Sequence, residues 1–166
     1  MKIFNQSAID NLNKQAAESE RKRSNLNWHE NYQSQVQRLF ITMQPDSYVR
    51  PHKHVEANKW ECFVVVKGHL LFVTYKPDGT ILSKTHLGPE QSAHAVEIQP
   101  GVWHSTVALT ENTVFFEVKE GPYKQINDKG FAQWAPAEGD ADAVKYINWL
   151  VKADVGQAWP ENSAPD

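Results

Sequence analysis

Apolar and polar positions along the chain change their period twice. Between residues 5 and 23, Ile9, Leu12 and Ala16 recur at spacings of three and four, the repeat of an amphipathic helix. Ser7 suits its N-cap, and the basic cluster Arg21, Lys22, Arg23 suits its last turn. The stripe is short, so this helix is expected to lie on a larger body. From about residue 33 the period shortens. QVQRLFITM (35–43), ECFVVVK (61–67), HLLFVTYK (69–76), TILSKTHL (80–87), AVEIQ (95–99), WHSTVAL (103–109) and TVFFEVK (113–119) are short runs rich in Val, Phe and Thr. Each is closed by Gly, Pro, Asn or Asp, as at QPDS, Gly68 and KPDG. About eight strands at hairpin spacing with no helix between them predict an antiparallel sandwich or barrel. Residues 121–139 are rich in Gly and Pro and read as a long ordered loop over that body. The helical period returns over 141–153, with Asp140 as N-cap and Val144, Ile147, Leu150 and Val151 as the buried stripe. The tail WPENSAPD is expected to fray.

Composition narrows the picture. A chain of 166 residues is the size of one domain, and 40% apolar content with six tryptophans supplies a packed core. A net charge of -3 gives no general attraction to nucleic acid or anionic membrane. The single cysteine, Cys62, excludes an intrachain disulfide. No stretch approaches the roughly 20 apolar residues of a membrane span, and MKIFNQSAIDNLNKQ lacks the apolar run of a signal peptide. The expectation is a soluble, cytoplasmic protein with a small-molecule ligand and no nucleic-acid or membrane partner.

The candidate chemistry lies in the histidines. His52 and His54 are two apart, so on a strand they project from one face. Glu61 opens the strand that follows, and His104 comes three residues after the turn at Pro100-Gly101. If paired strands bring His104 over the first two, three imidazoles and a carboxylate suit a divalent transition metal such as Zn, Fe, Mn, Ni or Cu. An isolated His-x-His usually binds nothing, and Glu61 alone would pass for an edge-strand charge. Glu56, inside the intervening loop, is the alternative carboxylate. His29, His69, His86 and His94 read as ordinary surface or hydrogen-bonded histidines. Around the metal, Arg50 beside His52, Trp103 and Tyr123 are the candidate substrate contacts, and Trp60, Phe72, Phe115 and Phe116 are further aromatic neighbours by strand parity.

The order His52, His54, Glu61, Gly68 followed by Pro100, Gly101, His104 resembles the two motifs of the cupin superfamily. The six-residue gap before Glu61, Asp46 in place of an opening Gly, and Ala108 in place of a closing Asn depart from those motifs. NLNWH (25–29), VQRLF (36–40), DSYVRPHKH (46–54), KWECFVVVKG (59–68), VEIQPGVWH (96–104), FFEVKEGPY (115–123) and FAQWAPAEGD (131–140) are similar to segments of the WbuC family of cupin-fold metalloproteins. The resemblance implies an all-β core, a cupin-type antiparallel jelly-roll barrel with an N-terminal and a C-terminal helix. On that reading residues 1–30 form a helical segment packing on the barrel, 31–120 the barrel, and 121–166 a loop, helix and tail. It also implies His52, His54, Glu61 and His104 as metal ligands, a homodimer, and an isomerase or epimerase acting on a carbohydrate or nucleotide sugar in polysaccharide biosynthesis. The competing expectations are a metal-dependent dioxygenase and a non-catalytic small-molecule-binding cupin.

Overall fold

The computed structural model of the chain describes residues 1–126 and 129–160. The first helix, α1 (Gln6–Glu18), begins one turn after the N-terminus because the Asn5 side chain accepts a hydrogen bond from the Ala8 backbone N–H at 3.0 Å. Asn5, not the expected Ser7, is the cap. The helix stops five residues before the expected end. Ser19 is extended, its hydroxyl accepts from the Arg21 N–H at 3.2 Å, and Lys22 takes a positive φ of 55°. Arg23 therefore opens a strand, β1 (Arg23–Asn27), rather than closing a helix. Only Leu26 is apolar in β1, so its pairing with β2 (Val36–Met43), with Leu26 opposite Phe40, specifies the strand more than its own composition.

The remaining strands form where the alternation predicts them: β3 (Glu61–Lys67), β4 (Leu70–Tyr75), β5 (Ile81–Leu87), β6 (Ala95–Ile98), β7 (Trp103–Ala108) and β8 (Thr113–Glu120). They make two antiparallel sheets, ordered β1-β2-β8-β3-β6 and β5-β4-β7. His52 pairs with His104 on the free side of β7 and takes the place of a fourth strand in the second sheet. From β2 onward the chain thus passes to His52 in the second sheet, to β3 in the first, to β4 and β5 in the second, and then alternately through β6, β7 and β8. That alternation is the two-Greek-key winding of a jelly roll. The jelly roll is the expected one, and no ladder closes its two sheets into a continuous barrel among the described residues.

Two cores hold it. Between the sheets pack Met43, Phe63, Val65, Leu70, Phe72, Leu87 and Phe115. Outside the second sheet, Leu71, Val73 and Tyr75 meet Trp134, Trp159 and α2 (Ala143–Lys152). The buried face of α2 is Ala143, Tyr146, Ile147 and Leu150, while Val144 and Val151 are exposed. The expected stripe is thus rotated, because Tyr146 and Trp149 pack with Trp159 and bury more area than two valines would. Asp140 does not cap α2; it accepts from the Ala137 N–H at 2.8 Å, and Asp142 stands at the N-cap. At the other end the Lys84 ammonium donates to the carbonyls of Leu150, Val151 and Ala153 at 2.7–3.0 Å, satisfying the last-turn acceptors. Trp159, from the expected frayed tail, is buried, and residues 161–166 lie outside the described residues. Among the described residues no helix is long and apolar enough to cross a membrane.

The turn between α1 and β1 is tied to the C-terminal segment by Glu138, which receives Arg21 at 2.8 Å and Arg23 as well. Burial alone would raise the Glu138 carboxyl, but hydrogen bonds and charge from the two arginines outweigh it and hold its pKa below the usual 4.5. A depressed folded-state pKa stabilises above the unfolded value and is lost as pH falls through the folded one. Glu138→Gln should therefore cost about 0.5–1 kcal/mol at pH 7, modest because the side chain is partly exposed. In urea denaturation across pH, that difference should shrink as the pH falls below about 4.5.

Candidate metal centre

The site is assembled by backbone pairing. The His52 N–H donates to the His104 carbonyl at 3.0 Å and the His104 N–H returns to the His52 carbonyl at 2.9 Å. Residues so paired project their side chains to the same face. On the other side of His52, the Lys53 N–H donates to the Gly130 carbonyl at 2.8 Å and the Ala132 N–H to the Pro51 carbonyl at 2.9 Å. The His-x-His segment is clamped between β7 and residues 130–132. His54 follows on the same face as His52, and its carbonyl receives the Gly101 N–H at 3.0 Å. Gly101 has φ of +79°, so the Pro-Gly turn that delivers His104 uses the left-handed conformation that glycine adopts without strain.

The imidazole centroids lie 4.4 Å apart for His52 and His104, 5.6 Å for His52 and His54, and 6.2 Å for His54 and His104. His52 Nδ1 sits 3.0 Å from the Arg50 carbonyl and His104 Nδ1 2.9 Å from the Val102 carbonyl. A carbonyl accepts only, so each Nδ1 carries a proton, and the Nε2 atom of each ring is the one left to face the site. Burial, reinforced by the charge of His104, lowers the His52 pKa to about 3, so its ring is neutral at physiological pH.

Glu61 stands at the hub. Its Oε1 is 2.9 Å from His54 Nε2 and its Oε2 is 3.0 Å from His104 Nε2. Burial by itself would raise its pKa; contacts with His104 and His54, and the charge of Lys119, reverse that and keep it an anion. His54 Nε2 and Glu61 Oε2 are buried and lack a properly directed hydrogen bond despite these short distances. Donor atoms of His52, His54 and Glu61 lie within 4.8 Å of one another, and His104 adjoins through Glu61. Converging buried imidazole nitrogens and carboxylate oxygens, two of them without a directed hydrogen bond, fit a divalent transition cation. Glu56 is not part of this cluster: it lies 3.9 Å from Lys124 with a partly exposed side chain.

The four side chains open into a cavity of about 200 Å³ between the sheets, walled by Ile41, Met43, Phe63 and Phe115 and bordered by Tyr123. Of the three expected substrate contacts, only Tyr123 borders this cavity. The Arg50 guanidinium donates twice to the Ala132 carbonyl, at 2.7 and 3.0 Å, and lies over the Phe131 ring, so it secures the 130–132 segment. Trp103 precedes His104 on β7 and so faces the other way, against Trp134 and under the Lys53 ammonium. Phe72 and Phe115 fill the inner core, and Phe116 packs outside with Trp28 and Phe40.

The structure adds two residues that the sequence reading missed. Lys119 is directly opposite Glu61 on β8 and donates to its Oε1 at 3.3 Å, and it lies 2.6 Å from Glu117 Oε1. Burial would lower the Lys119 pKa, but Glu117 and Glu61 overcome it and hold the ammonium above its ordinary range. Both residues border the cavity. Their signal was present: in TVFFEVKE, Glu117 and Lys119 share the parity of the inward-facing Phe115.

The family described as a domain of unknown function (DUF6016) matches residues 4–87. No curated protein matches the chain. Among solved structures, KdgF from Halomonas sp. is similar at 16% identity and a TM-score of 0.48, covering 62% of this chain and 81% of that one. A cupin-2 domain-containing protein from Shewanella frigidimarina is similar at 18% identity and a TM-score of 0.44, over 59% and 80%. The cupin-2 domain of an XRE-family transcriptional regulator from Enterobacter cloacae is similar at 19% identity and a TM-score of 0.46, over 61% and 98%.

Removing Lys119 leaves two buried carboxylates without their shared cation. Lys119→Met should destabilise the metal-free protein by about 3 kcal/mol, near the lower end for a broken buried pair because the cavity admits water. Adding Glu117→Leu should recover part of that loss. Urea denaturation of both single variants and the double variant measures the coupling.

Proposed function

The chain belongs to the family described as a domain of unknown function (DUF6016), and we propose that it is a metal-dependent enzyme moving protons on a small carbonyl or hydroxyl compound the size of one sugar ring. The observation that carries this reading is the convergence of His52, His54, Glu61 and His104, with orphaned buried donor atoms, at the floor of a cavity. His52, His54, Glu61 and His104 would hold the metal, whose contribution when bound is Lewis acidity toward a substrate oxygen. The cavity volume of about 200 Å³ is below the roughly 300–1,000 Å³ of clefts for drug-sized ligands. Its size favours a single ring over an enclosed nucleotide sugar.

The chain's own residues supply the rest. Glu117 borders the cavity beside Glu61 and is the carboxylate that would take a proton from substrate carbon or oxygen. The Lys119 ammonium, 2.6 Å away, balances that carboxylate and offers a positive charge to a substrate oxygen. Phe63 and Phe115 suit the apolar face of a ring, and Tyr123 borders the site with its own ring near Tyr32, at 5.1 Å between centroids. The sugar portion of the reading is supported by these aromatic walls and by the similarity of FFEVKEGPY and FAQWAPAEGD to WbuC-family segments.

Elemental analysis of purified protein should find a transition metal, with about one equivalent lost in both His52→Ala and His104→Ala. Metal retained at full level in those variants would overturn the centre. Glu117→Gln should keep the metal yet lower turnover by about 100-fold or more. Turnover is read as deuterium uptake from heavy water into aldoses, deoxysugars and hydroxy ketones by NMR. Metal-loaded protein that exchanges no proton in any of them would overturn the reaction class.

A further inference from the structure

A second histidine cluster lies outside the cavity. His69 immediately precedes β4 and His86 lies in β5, whose register places Leu70 opposite Leu87 and Leu71 opposite His86. The two rings meet diagonally across the ladder, with His69 Nε2 2.7 Å from His86 Nδ1 and centroids 4.9 Å apart at 50°. The backbone beneath them is held firmly. The His69 N–H donates to Thr110 Oγ1 at 3.0 Å, and its carbonyl accepts the Leu109 N–H at 2.8 Å. His86 is exposed and His69 partly so, and neither borders the cavity.

We propose that His69 and His86 form a second, solvent-facing site for a divalent transition metal. Two imidazole nitrogens bound cis to one ion at about 2.0–2.1 Å stand about 2.9–3.3 Å apart. The observed 2.7 Å is within a few tenths of an ångström of that bite. Small rotations of the two rings turn both nitrogens from each other toward a common point. The one proton they now share moves to the remaining nitrogen of its own ring, so binding needs no net deprotonation. Burial, and then the neighbouring His86, lower the pKa of His69, which favours the neutral ring a metal requires. Lys84 is two residues before His86 on the same strand face, but its ammonium is engaged by three carbonyls at the end of α2, which blunts its repulsion of a cation.

The donor set selects the ion. Two imidazoles and no carboxylate suit Cu²⁺, Ni²⁺ or Zn²⁺ and discriminate against Mg²⁺ and Ca²⁺. The remaining coordination positions face solvent and are open to water or to a donor from another molecule. With two protein ligands the site is weaker than the four-ligand centre between the sheets.

Isothermal titration of the full chain with Ni²⁺ should resolve two classes of site. His69→Asn and His86→Asn should each abolish the weaker class and leave the tighter one, with far-UV circular dichroism unchanged. His52→Ala should do the opposite. Survival of the weaker class in both surface variants, or its absence from the wild type and from His52→Ala alike, would overturn the proposal. Absence of the tighter class alone from the wild type would count against the inner centre and leave this site standing.

Discussion

The structure depends on one pair of backbone hydrogen bonds, the reciprocal exchange between His52 and His104. Fifty-odd residues of chain separate these positions, and their meeting turns two sequence-distant histidines into one site. The same exchange supplies the missing strand of the second sheet, so the bond that organises the chemistry also completes the jelly roll. His52 is held on its other side by residues 130–132, which Arg50 fixes through the Ala132 carbonyl. The histidines therefore sit on backbone restrained from both directions. Metal geometry tolerates little ligand wander, and this double restraint supplies the rigidity before any ion arrives.

Around that pair the protein accepts charges where a core would ordinarily be apolar. Glu61, Glu117 and Lys119 all point inward from adjacent strands, and the register that places Lys119 opposite Glu61 sets their order. Ion pairs removed from water seldom add stability over well-packed apolar side chains, because desolvation consumes the Coulombic gain. Their presence beside the unsatisfied His54 Nε2 is therefore better accounted for by the proposed metal site than by folding. The local arrangement is also self-limiting: the Lys119 ammonium shares Glu61 with the imidazoles and competes with any cation for the same carboxylate.

Much of this was legible in the amino-acid sequence, and the exceptions have physical reasons. Strands β3 to β8 announced themselves as short runs rich in Val, Phe and Thr, bounded by turn residues. The His-x-His spacing and the Pro-Gly turn before His104 carried the geometry of the site, because alternate residues of an extended segment share a face. β1 was hidden because its residues are polar and only pairing with β2 makes them a strand. Trp103 was misplaced as a cavity residue although its parity against His104 already put it on the opposite face. Arg50 could not be placed from sequence, since its acceptor, the Ala132 carbonyl, lies far along the chain. Glu117 and Lys119 were overlooked because charged residues on a strand are ordinarily read as solvent-facing, and here the inward parity outranks the polarity. The rotated stripe of α2 belongs to the same class of difficulty: two apolar faces were available, and aromatic neighbours remote in sequence chose between them.

A cavity and three buried charges weaken the packing between the sheets, and the fold compensates on its outer side. The cluster around Tyr75, Tyr146, Trp134 and Trp159 joins the outer face of the second sheet to segments after residue 130 that add nothing to the inner core. β4 contributes Leu70 and Phe72 to one core and Leu71, Val73 and Tyr75 to the other. The alternation of a single central strand thus couples the two cores mechanically. The Lys84 bonds to the end of α2 make the same link electrostatically, joining the helix to β5 through its terminal carbonyls. The C-terminal layer is for this reason part of the site's support, although none of its helical residues borders the cavity.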